Sequence, residues 1–197
     1  ASKGTSEEVA KTKAIEVFEK KQGYGWWYRR GLYEATGDLI VMSEPDGTFF
    51  GKDIIKLLAY AEDFEVVLGS RTRDVLIMEG ANMGAFLKHG NWAVAKIIET
   101  LYNTPSLSDV GCTMRLIRKE AYHKIKPFFR AGGSYFGLEM MLLVILKRLK
   151  FIEIPLHYGK RVGKSSVTGN FLKTLSLGTQ MFFLVFRFRL KSFFIKF

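Results

Sequence analysis

The sequence has little cysteine and no long apolar stretch. Its single cysteine, Cys112, excludes a disulfide within the chain, and we expect it to be buried as a small apolar side chain. The longest apolar runs, such as residues 140–146 and 181–186, are much shorter than the roughly 18 to 20 residues of a membrane-spanning helix. The first residues are polar and charged, unlike a cleavable signal peptide. These absences favour a cytoplasmic protein that is soluble or peripherally attached to a membrane.

Acidic residues are also scarce relative to basic ones. Thirty Lys and Arg residues stand against nineteen Asp and Glu residues, which gives a formal net charge of +11. Such a charge predicts an anionic partner, which is a nucleic acid, a phosphorylated small molecule or an acidic membrane surface. The sequence contains no recognised helix-turn-helix and no aromatic RNA-binding strand motif, so we do not expect a nucleic-acid partner.

The order of apolar patterns indicates an α/β fold. With 197 residues, of which 48% are hydrophobic, the chain is long enough to bury one sizeable core. Strand and helix patterns alternate, which favours a sheet covered by helices over a bundle or a sandwich. Strands are predicted at residues 14–18, 38–42, 65–68, 113–117 and 151–154. Helices are predicted from residue 5, at 28–35, at 52–62, at 83–102 with a break near Gly90, up to residue 125, and at 136–149.

The last residues differ in composition from the rest of the chain. In the stretch FFLVFRFRLKSFFIKF, residues 182–197, seven phenylalanines are interleaved with four basic residues. This density is typical of a segment that lies in the headgroup region of an anionic bilayer. The alternative is a terminal helix that covers the domain core, or the start of a longer segment. We therefore predict a domain at residues 1–168 and a membrane-interface segment at residues 169–197.

Two carboxylates follow the apolar strand pattern at residues 39–42. Glu44 and Asp46 flank Pro45, and at the end of a strand both side chains can point to the same side of the sheet edge. One interpretation is ordinary turn chemistry, because proline followed by Asp-Gly is common in turns. The other is a site for Mg²⁺ or Mn²⁺, since such a cation takes one or two carboxylates and completes its ligands with phosphate and water.

Two basic loops follow other predicted strands. The first carries Arg71 and Arg73, and the second carries Arg161, Lys164 and Ser165. Guanidinium, ammonium and hydroxyl groups are suited to binding phosphate oxygens. Because ligands of an open α/β sheet bind at the carboxyl ends of its strands, these loops and the acidic turn are predicted to converge there. The alternative is that both basic loops are solvated surface.

Five stretches in a fixed order then resemble a known family. They are GYGWWYRRGLYEATGDLIVMSEPDG, VVLGSRT, SDVGCTMRLIRKEAY, YFGLEMMLLVILKR and IEIPLHYGKRVGKSS. Together they resemble a family 2 glycosyltransferase of the GT-A fold, closest to the polyprenyl- or dolichol-phosphate mannosyl- and glucosyltransferases. The resemblance covers roughly residues 2–168 and implies a Rossmann-like mixed sheet flanked by helices. Members of that family begin with a βαβ unit that cradles the nucleobase and ribose, and this sequence resembles only the part of the family domain that comes after that unit.

The resemblance also implies roles for individual residues. Glu44 and Asp46 fall where the family has its Asp-x-Asp motif, which holds the divalent metal and the donor diphosphate. Arg71 and Arg115 match arginines of two further family motifs and, with the two acids, are assigned to catalysis. The other assignments are donor binding for Gly23, Gly25, Asp46, Arg161, Lys164 and Ser165, and acceptor-phosphate binding for Arg71, Arg73, Arg115 and Glu139.

These roles imply an inverting, metal-dependent sugar transfer. The expected donor is a nucleoside-diphosphate sugar, the expected acceptor is a polyprenyl phosphate at the cytoplasmic face of an anionic membrane, and the cofactor is Mg²⁺ or Mn²⁺. A lipid phosphate is already an anion at neutral pH, so the reaction needs orientation and charge compensation rather than a strong base. The alternative is a non-catalytic binding or scaffold domain that keeps the fold and the basic surface without recognising a donor.

Overall fold

A computed structural model describes residues 4–81, 83–163 and 171–194 of the chain. Helices and strands alternate in it, as the sequence predicts. The strands are β1 (Leu39–Met42), β2 (Val66–Ser70), β3 (Arg115–Arg118) and β4 (Phe151–Pro155). The helices are α1 (Thr5–Ala10), α2 (Tyr24–Glu34), α3 (Lys52–Tyr60), α4 (Ala85–Tyr102), α5 (Lys119–Ile125), α6 (Phe136–Leu146) and α7 (Phe171–Ser192), with short 3₁₀ turns at Asp74–Leu76 and Lys126–Phe128.

The four strands form one mixed sheet in the order β1, β3, β2, β4. β3 runs antiparallel to both of its neighbours, and Met42 at the end of β1 lies opposite Arg115 at the start of β3. β2 and β4 are parallel, with Val66 opposite Phe151. β1, β2 and β4 therefore point in the same direction. The loops that follow them emerge at the edge where β3 begins, and this edge carries the candidate site.

The core occupies both faces of the sheet. The larger cluster lies around α6, which is apolar on nearly all sides and mostly buried, as is typical of a helix in the interior of a domain. The smaller cluster, on the other face, packs α3 against the sheet, with Leu57 and Leu116 fully buried. Cys112 belongs to this smaller cluster and is buried, as predicted, and its burial raises the pKa of the thiol to about 12.

The predicted strand at residues 14–18 is wrong. This stretch is irregular in the structure, and Ile15 and Phe18 are 90% and 75% exposed. A short apolar stretch forms a stable strand only where a neighbouring strand supplies hydrogen bonds and one face is covered. In the described residues this stretch pairs with none of the four strands of the sheet.

The helices α2, α4 and α6 also differ from their predictions. α2 begins at Tyr24, four residues earlier than the apolar pattern predicts, and α4 continues without a break through Gly90. α6 ends earlier than predicted because Arg148 adopts a left-handed conformation with a φ of 52°, which no α-helix continues through.

α7 covers part of the core and exposes most of its aromatic side chains. Val185 and Phe188 are buried next to α4 and α6, and the hydroxyl of Tyr102 donates a hydrogen bond of 2.7 Å to the carbonyl of Val185. The exposed aromatic residues of α7 and of the turn after it are Phe182, Phe183, Phe186, Phe193 and Phe194.

None of the described helices is both long enough and apolar enough to cross a bilayer. The predicted domain boundary between residues 168 and 169 lies outside the described residues.

Candidate active site

An acidic turn follows β1 at the carboxyl edge of the sheet. Gly47 adopts a left-handed conformation with a φ of 81°, which allows the chain to turn tightly after Asp46. The amide and the hydroxyl of Thr48 donate hydrogen bonds of 3.0 and 2.5 Å to Asp46 Oδ1. These two bonds fix the carboxylate and leave its other oxygen, Oδ2, for a different partner.

The loop after β4 places Arg161 between the two acids. Its Nη2 lies 2.9 Å from Glu44 Oε2, and its Nη1 lies 2.5 Å from Asp46 Oδ2. The second contact joins opposite charges, but its orientation is not that of a hydrogen bond. Asp46 Oδ2 is therefore buried without a hydrogen-bond donor among the described residues. Lys164 and Ser165, which follow in the sequence, lie outside the described residues.

The two acids differ in how firmly they hold a charge. Burial raises the pKa of Glu44, the neighbouring Asp46 carboxylate raises it further, and Arg161 offsets these effects only in part. Burial also opposes ionisation of Asp46, but the hydrogen bonds from Thr48 and the charge of Arg161 outweigh it, so the pKa of Asp46 lies below its ordinary value. Asp46 is thus the stronger acid of the pair, and Glu44 depends more on a nearby cation.

The acid pair fits a hard divalent cation. Two carboxylates, one with a buried oxygen that lacks a hydrogen bond, are the donors that Mg²⁺ and Mn²⁺ bind. No cluster of three or more His, Cys, Asp and Glu side chains in the described part of the chain could hold a metal. A cation held by two carboxylates keeps positions for phosphate oxygens and water. The pair therefore suits a metal that is completed by a bound diphosphate.

Arg115 is a buried cation at the same edge. Its side chain is 2% exposed, and it donates a hydrogen bond of 2.7 Å from Nη1 to the carbonyl of Gly137 and a short one from Nη2 to the carbonyl of Cys112. Both acceptors are neutral. Within the described residues, no carboxylate pairs with its positive charge, which is therefore available to an anion in the cavity that it lines.

Arg71, in the loop after β2, has a carboxylate partner of its own. Its Nε and Nη2 donate hydrogen bonds of 2.8 and 2.9 Å to the two oxygens of Asp109, and its backbone amide adds a third of 2.9 Å. Glu153 of β4 holds the Asp109 loop by accepting hydrogen bonds from the amides of Ser108 and Asp109, at 2.7 and 3.0 Å. Arg71 lines the cavity, but its charge is already compensated.

Sequence reasoning missed Asp109 and Glu153. Burial opposes the ionisation of Asp109, but the charge and hydrogen bonds of Arg71 outweigh it, so the pKa of Asp109 is lowered. In the sequence, Asp109 is a single acid two residues before Gly111, a pattern that usually indicates a solvated turn. The available signal was its position in the stretch SDVG, shortly before the predicted strand at residues 113–117.

Gly23 and Gly25 serve the packing of α2. The amide of Gly25 donates a hydrogen bond of 3.0 Å to the carbonyl of Gly132. A Cβ atom at Gly23 would lie 2.3 Å from that carbonyl oxygen, and one at Gly25 would lie 2.7 Å from the carbonyl oxygen of Ala131. Both positions therefore require glycine for a close backbone approach, and neither residue lines the cavity in the described structure.

Glu139 and Arg73 also lie outside the cavity lining of the described residues. Glu139 is 2% exposed, and its carboxylate accepts hydrogen bonds of 3.0 and 2.9 Å from the amides of Arg130 and Ala131. Its burial raises its pKa. Arg73 is exposed to solvent. The structure thus gives Glu139 a role in holding a loop and brings neither residue to the site.

One cavity of about 1420 Å³ connects the acidic turn with an apolar wall. Its charged end contains Glu44, Asp46 and the arginines at positions 71, 115 and 161. The opposite wall is formed by α2, α4 and α7. Among its apolar side chains are Trp27, Leu87, Val94, Ile97, Leu175 and Met181.

Two tyrosines of α2 also line this cavity, and sequence reasoning did not single them out. The hydroxyl of Tyr28 donates a hydrogen bond of 3.1 Å to the carbonyl of Ser43, directly before the acidic turn. Burial raises the pKa values of Tyr24 and Tyr28, so both hydroxyls are neutral donors at physiological pH. They add hydrogen-bonding groups between the charged end and the apolar wall.

The family model described as glycosyl transferase family 2 matches residues 1–126 of this chain. Among curated relatives, the low-salt glycan biosynthesis hexosyltransferase Agl6 of Haloferax volcanii is 26% identical over 166 residues, which are 83% of this chain and 39% of the relative. The dolichyl-phosphate beta-glucosyltransferase of Saccharomyces cerevisiae is 24% identical over 159 residues, 73% of this chain and 46% of the relative. The chain thus spans less than half the length of these two proteins.

Solved structures show the same fold. Glucosyl-3-phosphoglycerate synthase from Mycobacterium tuberculosis, in complex with Mn²⁺, UDP-glucose and phosphoglyceric acid, superposes with a TM-score of 0.69 at 13% identity. The match covers 96% of this chain and 65% of that one. The predicted mixed sheet flanked by helices is confirmed. Because the family match covers more than half of the sequence and the sheet has the expected architecture, the chain belongs to glycosyl transferase family 2 and adopts the GT-A fold.

Proposed function

We propose that the protein transfers a hexose from a nucleoside-diphosphate sugar to a polyprenyl-type phosphate at a membrane surface. The observation that carries this proposal is the shape of the cavity. Its charged end and its apolar wall belong to one continuous space of about 1420 Å³. A water-soluble phosphate would use only the charged end, whereas a phosphate attached to a hydrocarbon chain uses both.

The relatives support the reaction class. The yeast relative is named as a dolichyl-phosphate glucosyltransferase, and the archaeal relative as a hexosyltransferase. The mycobacterial structure contains UDP-glucose and Mn²⁺ together with phosphoglyceric acid, an acceptor without a lipid chain. The apolar wall of the cavity is the feature that favours a lipid acceptor for the present chain.

On the donor side, Glu44 and Asp46 would hold Mg²⁺ or Mn²⁺. When bound, the cation would supply positive charge to the departing diphosphate. Arg161 contacts both acids and would also contact the diphosphate. Lys164 and Ser165, which follow in the sequence, are proposed as further ligands of the diphosphate because of the family resemblance. The charge of the diphosphate would thus meet both the metal and Arg161.

On the acceptor side, Arg115 is the favoured partner for the phosphate because no carboxylate of the described residues compensates its charge. Arg71 would contribute less, since Asp109 already balances it. An oxygen of the acceptor phosphate would form a bond to the anomeric carbon, and the bond from that carbon to the donor diphosphate would break. The nucleoside diphosphate leaves and the configuration inverts, and no strong base is required because the attacking oxygen is already anionic.

α7 would bring the charged end of the cavity to the bilayer. Its exposed phenylalanines stand beside Arg187, Arg189 and Lys191, and part of the helix lines the cavity. Aromatic and basic side chains on one helix bind the headgroup region of anionic membranes. A lipid acceptor anchored at the cytoplasmic face would then lie next to the apolar wall.

Calorimetry with UDP-glucose and GDP-mannose in the presence of Mn²⁺ tests the donor side. We expect one of them to bind the wild-type protein, and Asp46→Asn to abolish the Mn²⁺-dependent part of binding while the circular dichroism spectrum is unchanged. If no sugar nucleotide binds to this chain or to a longer natural form, the enzyme proposal fails and a non-catalytic binding domain replaces it.

Vesicle flotation tests the membrane partner. We expect the protein to float with vesicles that contain phosphatidylserine and to stay in solution with pure phosphatidylcholine vesicles. Phe183→Ser, at a 65% exposed position on α7, should weaken flotation without loss of fold. Equal behaviour with both vesicle types would contradict an anionic membrane partner.

A further inference from the structure

A cation that belongs to the protein already lies between the two acids. The guanidinium of Arg161 contacts Glu44 Oε2 at 2.9 Å and Asp46 Oδ2 at 2.5 Å. The other oxygen of Asp46 is held by two hydrogen bonds from Thr48. Arg161 therefore contacts the Asp46 oxygen that a divalent metal would need, together with one oxygen of Glu44.

A metal and the guanidinium compete for these oxygens. Both carry positive charge and would repel each other at this distance, so a metal bound to Asp46 Oδ2 weakens the contact with the guanidinium. Asp46 Oδ2 lacks a hydrogen bond even with Arg161 beside it, so the guanidinium satisfies this oxygen only in part. A smaller and more highly charged cation would use it better.

The backbone around Arg161 is tied to the acidic turn. The amide of Val162 donates a hydrogen bond of 2.7 Å to the carbonyl of Asp46, and the amide of Gly159 donates one of 2.8 Å to the carbonyl of Thr48. The Arg161 side chain is 28% exposed and lines the cavity. Release of the carboxylates thus requires only a side-chain rotation, and the guanidinium remains within reach of the same part of the cavity.

We infer that Arg161 is a built-in competitor of the divalent metal. In the metal-free protein it compensates the charges of Glu44 and Asp46. When a metal binds, Arg161 leaves the carboxylates and pairs with the donor diphosphate. The diphosphate therefore strengthens metal binding in two ways, because it offers the metal further ligands and gives Arg161 another anion. This inference rests on the metal site of the proposed function.

Mn²⁺ binding without any nucleotide tests the competition directly. The free ion is measured by electron paramagnetic resonance during titration of the wild-type protein, Arg161→Gln and Arg161→Lys. We expect Arg161→Gln to lower the dissociation constant for Mn²⁺ roughly fivefold to tenfold, because the competing cation is gone. The dissociation constant of Arg161→Lys should lie between those of the wild type and Arg161→Gln. Lysine keeps the positive charge but lacks the planar guanidinium that contacts two carboxylates at once.

Lys160→Gln is the matched control. It removes the same unit charge from the neighbouring, exposed position and should change the dissociation constant by less than about twofold. An Arg161→Gln protein that binds Mn²⁺ as weakly as the wild type, or more weakly, would overturn the inference.

Two further measurements show which part of the inference is wrong if the first test fails. Asp46→Asn should abolish Mn²⁺ binding. If Asp46→Asn binds Mn²⁺ like the wild type, the acid pair is not the metal site, and the inference falls together with that part of the proposed function. In the presence of UDP, the gain in Mn²⁺ affinity should be larger for the wild type than for Arg161→Gln. An equal gain in both proteins would contradict the exchange of partners by Arg161.

Discussion

Two arginines at the same sheet edge contact carboxylates in opposite ways. Arg71 forms a closed, two-pronged pair with Asp109, whose side chain is fully buried. Arg161 spans two different carboxylates from a loop, and 28% of its side chain is exposed, compared with 12% for Arg71. The first arrangement belongs to the framework of the site, and the second can be exchanged for another partner.

The difference follows from how completely each carboxylate is satisfied. The oxygens of Asp109 accept hydrogen bonds from the Arg71 side chain and from the amides of Arg71 and Gly111. Asp46 has one oxygen without a hydrogen bond. Removing a partner from a buried, saturated pair leaves a charge that water cannot reach, whereas water or a ligand replaces a partner at the cavity. The comparison predicts which substitutions damage stability and which alter binding.

The largest effect on stability is expected for Asp109→Asn. The variant leaves the Arg71 guanidinium buried without a compensating charge, so the free energy of unfolding should fall by about 3 to 5 kcal/mol. Urea denaturation measures it. As a control, Asp74→Asn removes the surface pair with Lys88, where Asp74 is 83% exposed. That change should cost less than about 1 kcal/mol. Similar losses of unfolding free energy for the two variants would contradict the conclusion that the Arg71–Asp109 pair is buried and fully hydrogen-bonded.

The pH dependence of stability is the second test. Burial opposes ionisation of Asp109, but Arg71 outweighs it and lowers the pKa in the folded protein. Such a carboxylate stabilises the fold above its unfolded pKa of about 3.9, and the contribution disappears as the pH falls through the folded pKa. The advantage of the wild type over Asp109→Asn should therefore be constant near neutral pH and shrink below about pH 4. An advantage that persists undiminished in acid would rule out this linkage.

A smaller effect is expected for Glu153→Gln. Glu153 accepts hydrogen bonds from the amides of Ser108 and Asp109 and from the Ser108 hydroxyl. A glutamine would direct its NH₂ group at one of these donors, so the free energy of unfolding should fall by about 1 to 3 kcal/mol. The loss should be strongly reduced in a background that already carries Asp109→Asn, because both residues hold the same loop. Full additivity in the double variant would show that they act independently.

The smallest effect on stability is expected for Arg161→Gln. Because its contacts lie at the cavity and are partly exposed, the free energy of unfolding should change by no more than about 1 kcal/mol. The same urea titration as for Asp109→Asn gives the comparison. A loss as large as that of Asp109→Asn would mean that Arg161 belongs to the framework and is not exchangeable.

The sequence predicts the architecture of this site better than its internal contacts. Glu44, Asp46 and Arg161 could be placed at one edge because each follows a strand pattern, and strands that share a direction bring their following loops together. The pairing of Arg71 with Asp109 depends on which of several polar loop residues is buried. Hydrophobic periodicity does not show which loop residue is buried, so this pairing could be identified only in the folded structure.

The same limit applies to the two glycines and to the first predicted strand. Gly23 and Gly25 resemble glycines that approach a ligand, but the backbone that they approach belongs to Gly132 and its neighbour Ala131. The apolar composition of residues 14–18 is strand-like, but a strand also requires a neighbouring strand, which local sequence does not reveal. The glycines indicated a close backbone approach, and residues 14–18 indicated an extended stretch. In both cases the segment that packs against them in the folded structure determines their role, and the local sequence does not identify that segment.

The most direct test of the account is sugar transfer to acceptors with and without a hydrocarbon chain. Radiolabelled UDP-glucose and GDP-mannose are supplied with Mn²⁺ and either a polyprenyl phosphate in detergent or 3-phosphoglycerate. Leu175→Ser alters the cavity wall, and Leu190→Ser makes the same change at an exposed position of α7 outside the described lining. We predict labelled product in the organic phase with the polyprenyl phosphate, a decrease of about tenfold for Leu175→Ser and little change for Leu190→Ser. Transfer only to 3-phosphoglycerate, or equal activity of both variants, would contradict the proposed lipid acceptor.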